Sequence, residues 1–122
     1  MERTALEAEM QTSEKIGIID LGSNSARLVI VRLFGGGYFM VEDELKESVR
    51  LGQDMDRDGF LKPQRVAETN KTLKMFKRLC DASGVTRIIA VATAAVRRAK
   101  NQRSFLDEIQ ATCGIRVEVL SE

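Results

Sequence analysis

Six consecutive residues, Asp20-Leu21-Gly22-Ser23-Asn24-Ser25, set a carboxylate, a glycine, two hydroxyls and an amide close together. Apolar runs on either side (IGIID before, ARLVIVRL after) place the string in a turn between two strands. A carboxylate at the end of a buried strand is costly unless it serves a metal ion or a firm hydrogen bond, so Asp20 is a metal candidate. Gly22 permits a backbone angle closed to most residues, and Ser23, Asn24 and Ser25 offer hydroxyl, amide and backbone donors to an anion. The same string also suits a plain turn in which Asp and Asn hydrogen-bond their own backbone, and spacing alone leaves both readings open.

Three other clusters invite chemistry. Arg97, Arg98, Lys100 and Arg103 concentrate positive charge in a short stretch suited to guiding a polyanion, or to forming a solvated loop and helix start. Asp54, Asp56, Asp58 and Gly59 imitate the opening of a calcium loop, but Arg65 stands where the bidentate glutamate belongs, so a polar turn is expected. Gly35-Gly36-Gly37 lies between two strands with no helix N-terminus beside it, and reads as a hairpin turn. The chain contains no histidine, which removes Ser-His-Asp and Cys-His catalysis and histidine-ligated metal centres. No GxxxxGK[ST] string occurs, and Cys80 and Cys113, outside any CxxC, read as reduced core thiols.

The elements that must hold these groups follow from periodicity. Residues 16–21 form a short, mostly apolar strand, 26–33 a second, and 38–48 a third with charges interleaved. Residues 50–61 read as a loop, after which Pro63 opens a helix whose stripe is Val66, Leu73, Phe76 and Cys80, stopped at Ser83-Gly84. A strand at 87–92, a helix at 101–112 stopped by Gly114 and a strand at 115–120 complete the order β-β-β-α-β-α-β. Strands joined by right-handed helical crossovers imply an α/β fold whose mixed five-stranded sheet has parallel later members. Residues 1–15 are polar without a core face and are expected to be a flexible N-terminal extension, with one domain over 16–122.

Composition sets the outer bounds. An apolar fraction of 43% over 122 residues is enough for one core and argues against a disordered chain. Nineteen basic against eighteen acidic residues leave a net charge of +1, too little to recruit DNA or an anionic membrane. No apolar run reaches the length of a membrane span, and no export signal opens the chain, so a cytoplasmic location is expected.

The string IIDLGSNSARLVI resembles the first phosphate loop of the exopolyphosphatase / guanosine pentaphosphate phosphohydrolase family. Val49-Arg50-Leu51-Gly52 followed by Gly59-Phe60-Leu61 is similar to that family's connection into its first long helix, and Ala92-Thr93-Ala94-Ala95-Val96-Arg97 to its stretch after the fourth strand. The resemblance runs from Ile16 to Ser121 and implies a ribonuclease-H-like lobe of the actin-like ATPase superfamily. It further implies that Asp20 faces a Mg2+–phosphate centre, that Gly22, Ser23, Asn24 and Ser25 line the phosphate, and that Arg27 and Arg97 lie near it. The family's catalytic glutamate follows the fifth strand in a Ser-x-x-Glu-Glu-like run. This chain stops at Ser121-Glu122, so the base is expected beyond Glu122 and the second lobe outside the chain.

The resemblance thus implies the first lobe of a magnesium-dependent phosphoanhydride hydrolase, inactive by itself. Its substrate would be inorganic polyphosphate or the 5′-γ-phosphate of guanosine pentaphosphate, its partner the second lobe, and a homodimer is allowed. Two rivals stay open: a kinase or ATPase lobe of the same fold, and a guanosine-polyphosphate-binding regulator that has lost the base. A nuclease of ribonuclease-H-like architecture would need several strand-end carboxylates, and the last two strands offer only Glu118.

Overall fold

The computed structural model describes residues 4–7 and 13–121. Of the extension expected over 1–15, residues 1–3 and 8–12 lie outside the described part, while Glu14 and Lys15 open the first strand. The strands are β1 (Glu14–Leu21), β2 (Ser25–Leu33), β3 (Phe39–Ser48), β4 (Arg87–Ala92) and β5 (Val117–Val119). After the first strand the helices are α1 (Pro63–Ala82), α2 (Ala94–Arg98) and α3 (Gln102–Cys113), with a 3-10 turn at Met55–Arg57.

The sheet runs β3-β2-β1-β4-β5. The β1–β2 and β2–β3 pairs are antiparallel, and β4 and β5 add in parallel to β1. This is the mixed five-stranded sheet the sequence implies. Gly36 (φ 97°) and Gly37 (φ 87°) make the β2–β3 turn, where left-handed backbone favours glycine. Two further differences from expectation follow β4 in the chain. The last strand contracts from 115–120 to three residues because only Val117–Val119 pairs with β4. The stretch after β4 holds a short helix, α2, too brief for its periodicity to show in the sequence.

One face of the sheet is packed. Ile19 and Leu21, Leu28 and Ile30, and Ala90 and Ala92 meet Leu73, Phe76 and Cys80 of α1 and Phe105, Ile109 and Cys113 of α3 in one buried cluster. Burial of each large side chain contributes on the order of 1.5–3 kcal/mol, so this layer fixes the strand ends from which the site is built. Both cysteines are buried and unpaired, as core thiols. The opposite face carries Ile18 between its register partners Val29 and Ile89, then Asp20 beside Arg27. Among the described residues, no helix is long and apolar enough to cross a membrane.

Candidate functional site

The turn between β1 and β2 is closed by the Gly22 N–H donating to the Ser25 carbonyl at 3.0 Å. Left-handed φ angles occur at other glycines but not at Gly22, so the expectation of an unusual angle there is corrected. A Cβ at Gly22 would sit 3.4 Å from the Ser25 carbonyl oxygen, so room near that carbonyl is the need glycine meets.

A second segment is bound onto this turn. The Asn24 carbonyl accepts N–H bonds from Val49 (3.1 Å) and Arg50 (2.9 Å), and the Ser23 carbonyl accepts one from Gly52 (2.9 Å). Val49 and Leu51 are buried in the core on either side of Arg50. Gly52 permits the close approach, since a Cβ there would lie 3.3 Å from the Cβ atoms of both Ala95 and Ser23. The turn, the β3–α1 loop and α2 therefore meet at one point. Arg50 holds φ 49°, a left-handed conformation costing about 1–2 kcal/mol for a residue with a Cβ, kept because its neighbours and hydrogen bonds over-determine it.

The loop is clasped at its far end as well. The Asn101 side chain accepts from the Leu61 N–H at 2.9 Å and donates to the Leu61 carbonyl at 3.1 Å, pairing like a strand. The Lys100 N–H donates to the Gly59 carbonyl at 2.8 Å, and its ammonium lies 5.7 Å from the Phe60 ring centroid. These ties turn the loop into a fixed wall.

Between wall and turn lies a cleft of about 420 Å³, lined by Ser23, Asn24, Ser48, Arg50, Gly52, Gln53 and Arg98. Its lining brings together two hydroxyls, two amides and two guanidiniums without a carboxylate, which suits an anion rather than a cation. Ser48, Arg50 and Gln53 were not singled out as anion ligands in the sequence; an arginine between two core residues and followed by glycine was the available signal.

The expected site residues fall in three places. Ser23 and Asn24 line the cleft, and Gly22 and Ser25 shape the turn behind them. Asp20 and Arg27 face each other across β1 and β2, with Arg27 3.4 Å from Glu44. Asp20 is exposed, which corrects the expectation of a buried, desolvated carboxylate: the strand is buried, but alternation turns this side chain to the open face. Arg97 sits in α2 rather than on a loop and donates to the Leu120 carbonyl at 2.8 Å, fastening the chain beyond β5. In the calcium-like stretch, Asp58 binds Lys62 and accepts the Phe60 N–H, and those bonds hold its carboxyl below the usual range. No cluster of three or more metal-ligating side chains occurs among the described residues.

The model of the Ppx/GppA phosphatase family matches residues 29–122. Exopolyphosphatase 1 of Mycobacterium leprae is 28% identical over 106 residues, covering 87% of this chain and 31% of that protein. The crystal structure of the Aquifex aeolicus Ppx/GppA family member superposes with a TM-score of 0.84 at 37% identity, covering 88% of this chain and 35% of the other. An exopolyphosphatase from Cytophaga hutchinsonii gives a TM-score of 0.82 at 31% identity, covering 88% and 34%. The chain thus spans about a third of the length of these relatives, and over that stretch it shares their fold.

Proposed function

The chain belongs to the Ppx/GppA phosphatase family, and on that premise we propose that it is the phosphate-clamping lobe of a phosphoanhydride hydrolase. The substrate is inorganic polyphosphate or guanosine pentaphosphate, losing its terminal or 5′-γ-phosphate to water. The observation that carries this reading is the acid-free cleft whose lining Ser23 and Asn24 share with two arginines. Phosphoryl transfer asks a protein mainly for positioning and for neutralisation of charge on the phosphoryl oxygens. Hydroxyl, amide and guanidinium donors fixed by the wall perform that neutralisation without rearranging during reaction.

Mg2+ fits the residues present. Magnesium is commonly held by one or two carboxylates plus substrate oxygens and water, not by an all-protein cage, and Asp20 is an exposed carboxylate beside the turn carrying Ser23 and Asn24. Asp20 would hold the ion, which when bound supplies further charge neutralisation. On this reading the water-activating carboxylate is a glutamate that follows the fifth strand, a second lobe closes the site, and the reaction is cytoplasmic.

The test is a chimera in which this chain replaces the matching lobe of the Aquifex aeolicus relative. Phosphate release from polyphosphate and from guanosine pentaphosphate is measured with Mg2+. We expect turnover on one of the two, lowered at least about tenfold by Asn24→Ala through loss of a cleft contact. A folded chimera that binds polyphosphate or guanosine pentaphosphate but releases no phosphate, beside an active Aquifex control, would mean that this lobe does not support hydrolysis and would overturn the reading.

A further inference from the structure

We infer that Arg50, with Arg98 on the same cleft, is the residue that grips the terminal phosphate. This assignment rests on the phosphate-site reading above and adds to it the side chain that selects the ligand. Arg27 is paired with Glu44, and Arg97 holds the Leu120 carbonyl, and neither lines the cleft. Arg50 and Arg98 both line it, and their guanidiniums have no hydrogen-bond or ion-pair partner among the described residues.

The backbone around Arg50 supports the same assignment. Its φ of 49° lies where glycine is favoured, yet the position carries a long cation. The flanking Val49 and Leu51 are anchored in the core, and the Arg50 N–H is fixed to the Asn24 carbonyl, so its root is rigid relative to the turn. The carbonyls of Ser23 and Asn24 are taken up by the wall's amides, which lessens their negative potential toward an incoming anion. A guanidinium also presents paired N–H donors in a plane that matches two phosphate oxygens. A terminal phosphate, with more free oxygens than an internal one, is the ligand class that two arginines lining one cleft prefer.

The strained angle makes the test discriminating, because Arg50→Gly removes the side chain while suiting the backbone. The 122-residue chain would be titrated with inorganic tripolyphosphate and followed by amide chemical shifts, with thermal melts of each variant in parallel. We expect weak binding with shifts at Ser23, Asn24, Gly52 and Arg98. Arg50→Gly should weaken binding at least tenfold with an equal or higher Tm. Arg50→Lys should fall between, since it keeps charge and loses the fork, and Arg116→Gln, a remote control, should bind like the parent chain. If Arg50→Gly melts higher and binds tripolyphosphate as before, the inference fails while the phosphate site stands. If tripolyphosphate shifts none of residues 22–24, the inference and the site reading both fail.

Discussion

Asp20 stands on the solvent-facing side of β1, opposite Arg27 in the β2 register, and this placement changes what its substitution should do. A buried carboxylate would gain stability on losing its charge, but an exposed one has little desolvation cost to recover. Asp20→Asn should therefore leave the melting temperature of the Aquifex chimera within about one or two degrees. It should also lower Mg2+-dependent turnover by about tenfold or more, because a neutral amide holds the cation poorly. Unchanged turnover and an unchanged Mg2+ requirement would make Asp20 a turn residue. The sequence identified Asp20, Ser23 and Asn24 by type and spacing. It could not show which side of β1 Asp20 occupies, since IGIIDL is apolar on both faces. Arg50 escaped for another reason: a left-handed backbone is legible at a glycine and invisible at an arginine.

The strands show how far local pattern reaches and where packing takes over. β1 to β4 were legible as apolar runs bounded by turn residues, whereas the β2–β3 ladder carries a bulge at Glu42 that no pattern announces. The bulge has a partner set: the Glu42 carboxylate meets Arg32 of β2 and Lys15 of β1, the latter at 3.0 Å, joining three strands. The hydrogen bond from Arg32, then that from Lys15, holds the Glu42 carboxyl below its ordinary range. A depressed folded-state pKa contributes stability above the unfolded value, near 4.3, and that stability is lost as pH falls through the folded value. Glu42→Gln should thus lower the urea midpoint at pH 7 and lose less stability than the parent chain as the pH drops below about 4.3. Equal acid losses in the two chains would remove Glu42 from this role. Gly17, two residues along from Lys15 on the same face of β1, tests the packing there. A Cβ there would lie 2.8 Å from the Cys80 sulfur, so Gly17→Ala should destabilise by about 1–3 kcal/mol through overpacking, outweighing the entropy gained from a stiffer unfolded chain. Combining it with Cys80→Ala should cost less than the sum of the single changes, because the new methyl occupies space the sulfur vacates. Strict additivity in denaturation midpoints would mean that the two groups do not compete.

For the molecule as a whole, the packed layer lies on one side of a sheet whose parallel part would ordinarily be covered on both. The other side is covered only in part: the register partners Ile16 and Val31 are buried there, while Ile18 at 36% and Ile89 at 43% are exposed, with Val41 at 51% and Phe39 at 63% where the bulge turns β3 residues onto that face. Apolar surface of this kind draws dye and self-association. It also limits the isolated chain chemically: a cleft with one wall leaves a bound anion in water and salt, where charge contacts are weak, so no phosphate release from polyphosphate is expected from this chain alone. The two faces can be separated by substitution. Ile19→Ala, in the packed layer, should cost about 2–5 kcal/mol from lost burial and a cavity. The pair Ile18→Thr and Ile89→Thr keeps β-branched side chains in the strands and removes apolar area already in contact with water. Its cost should stay within about 1 kcal/mol, while binding of a hydrophobic dye and concentration-dependent light scattering both fall. If the threonine pair unfolds the chain as readily as Ile19→Ala does, that face is packed in solution and the one-sided architecture is wrong.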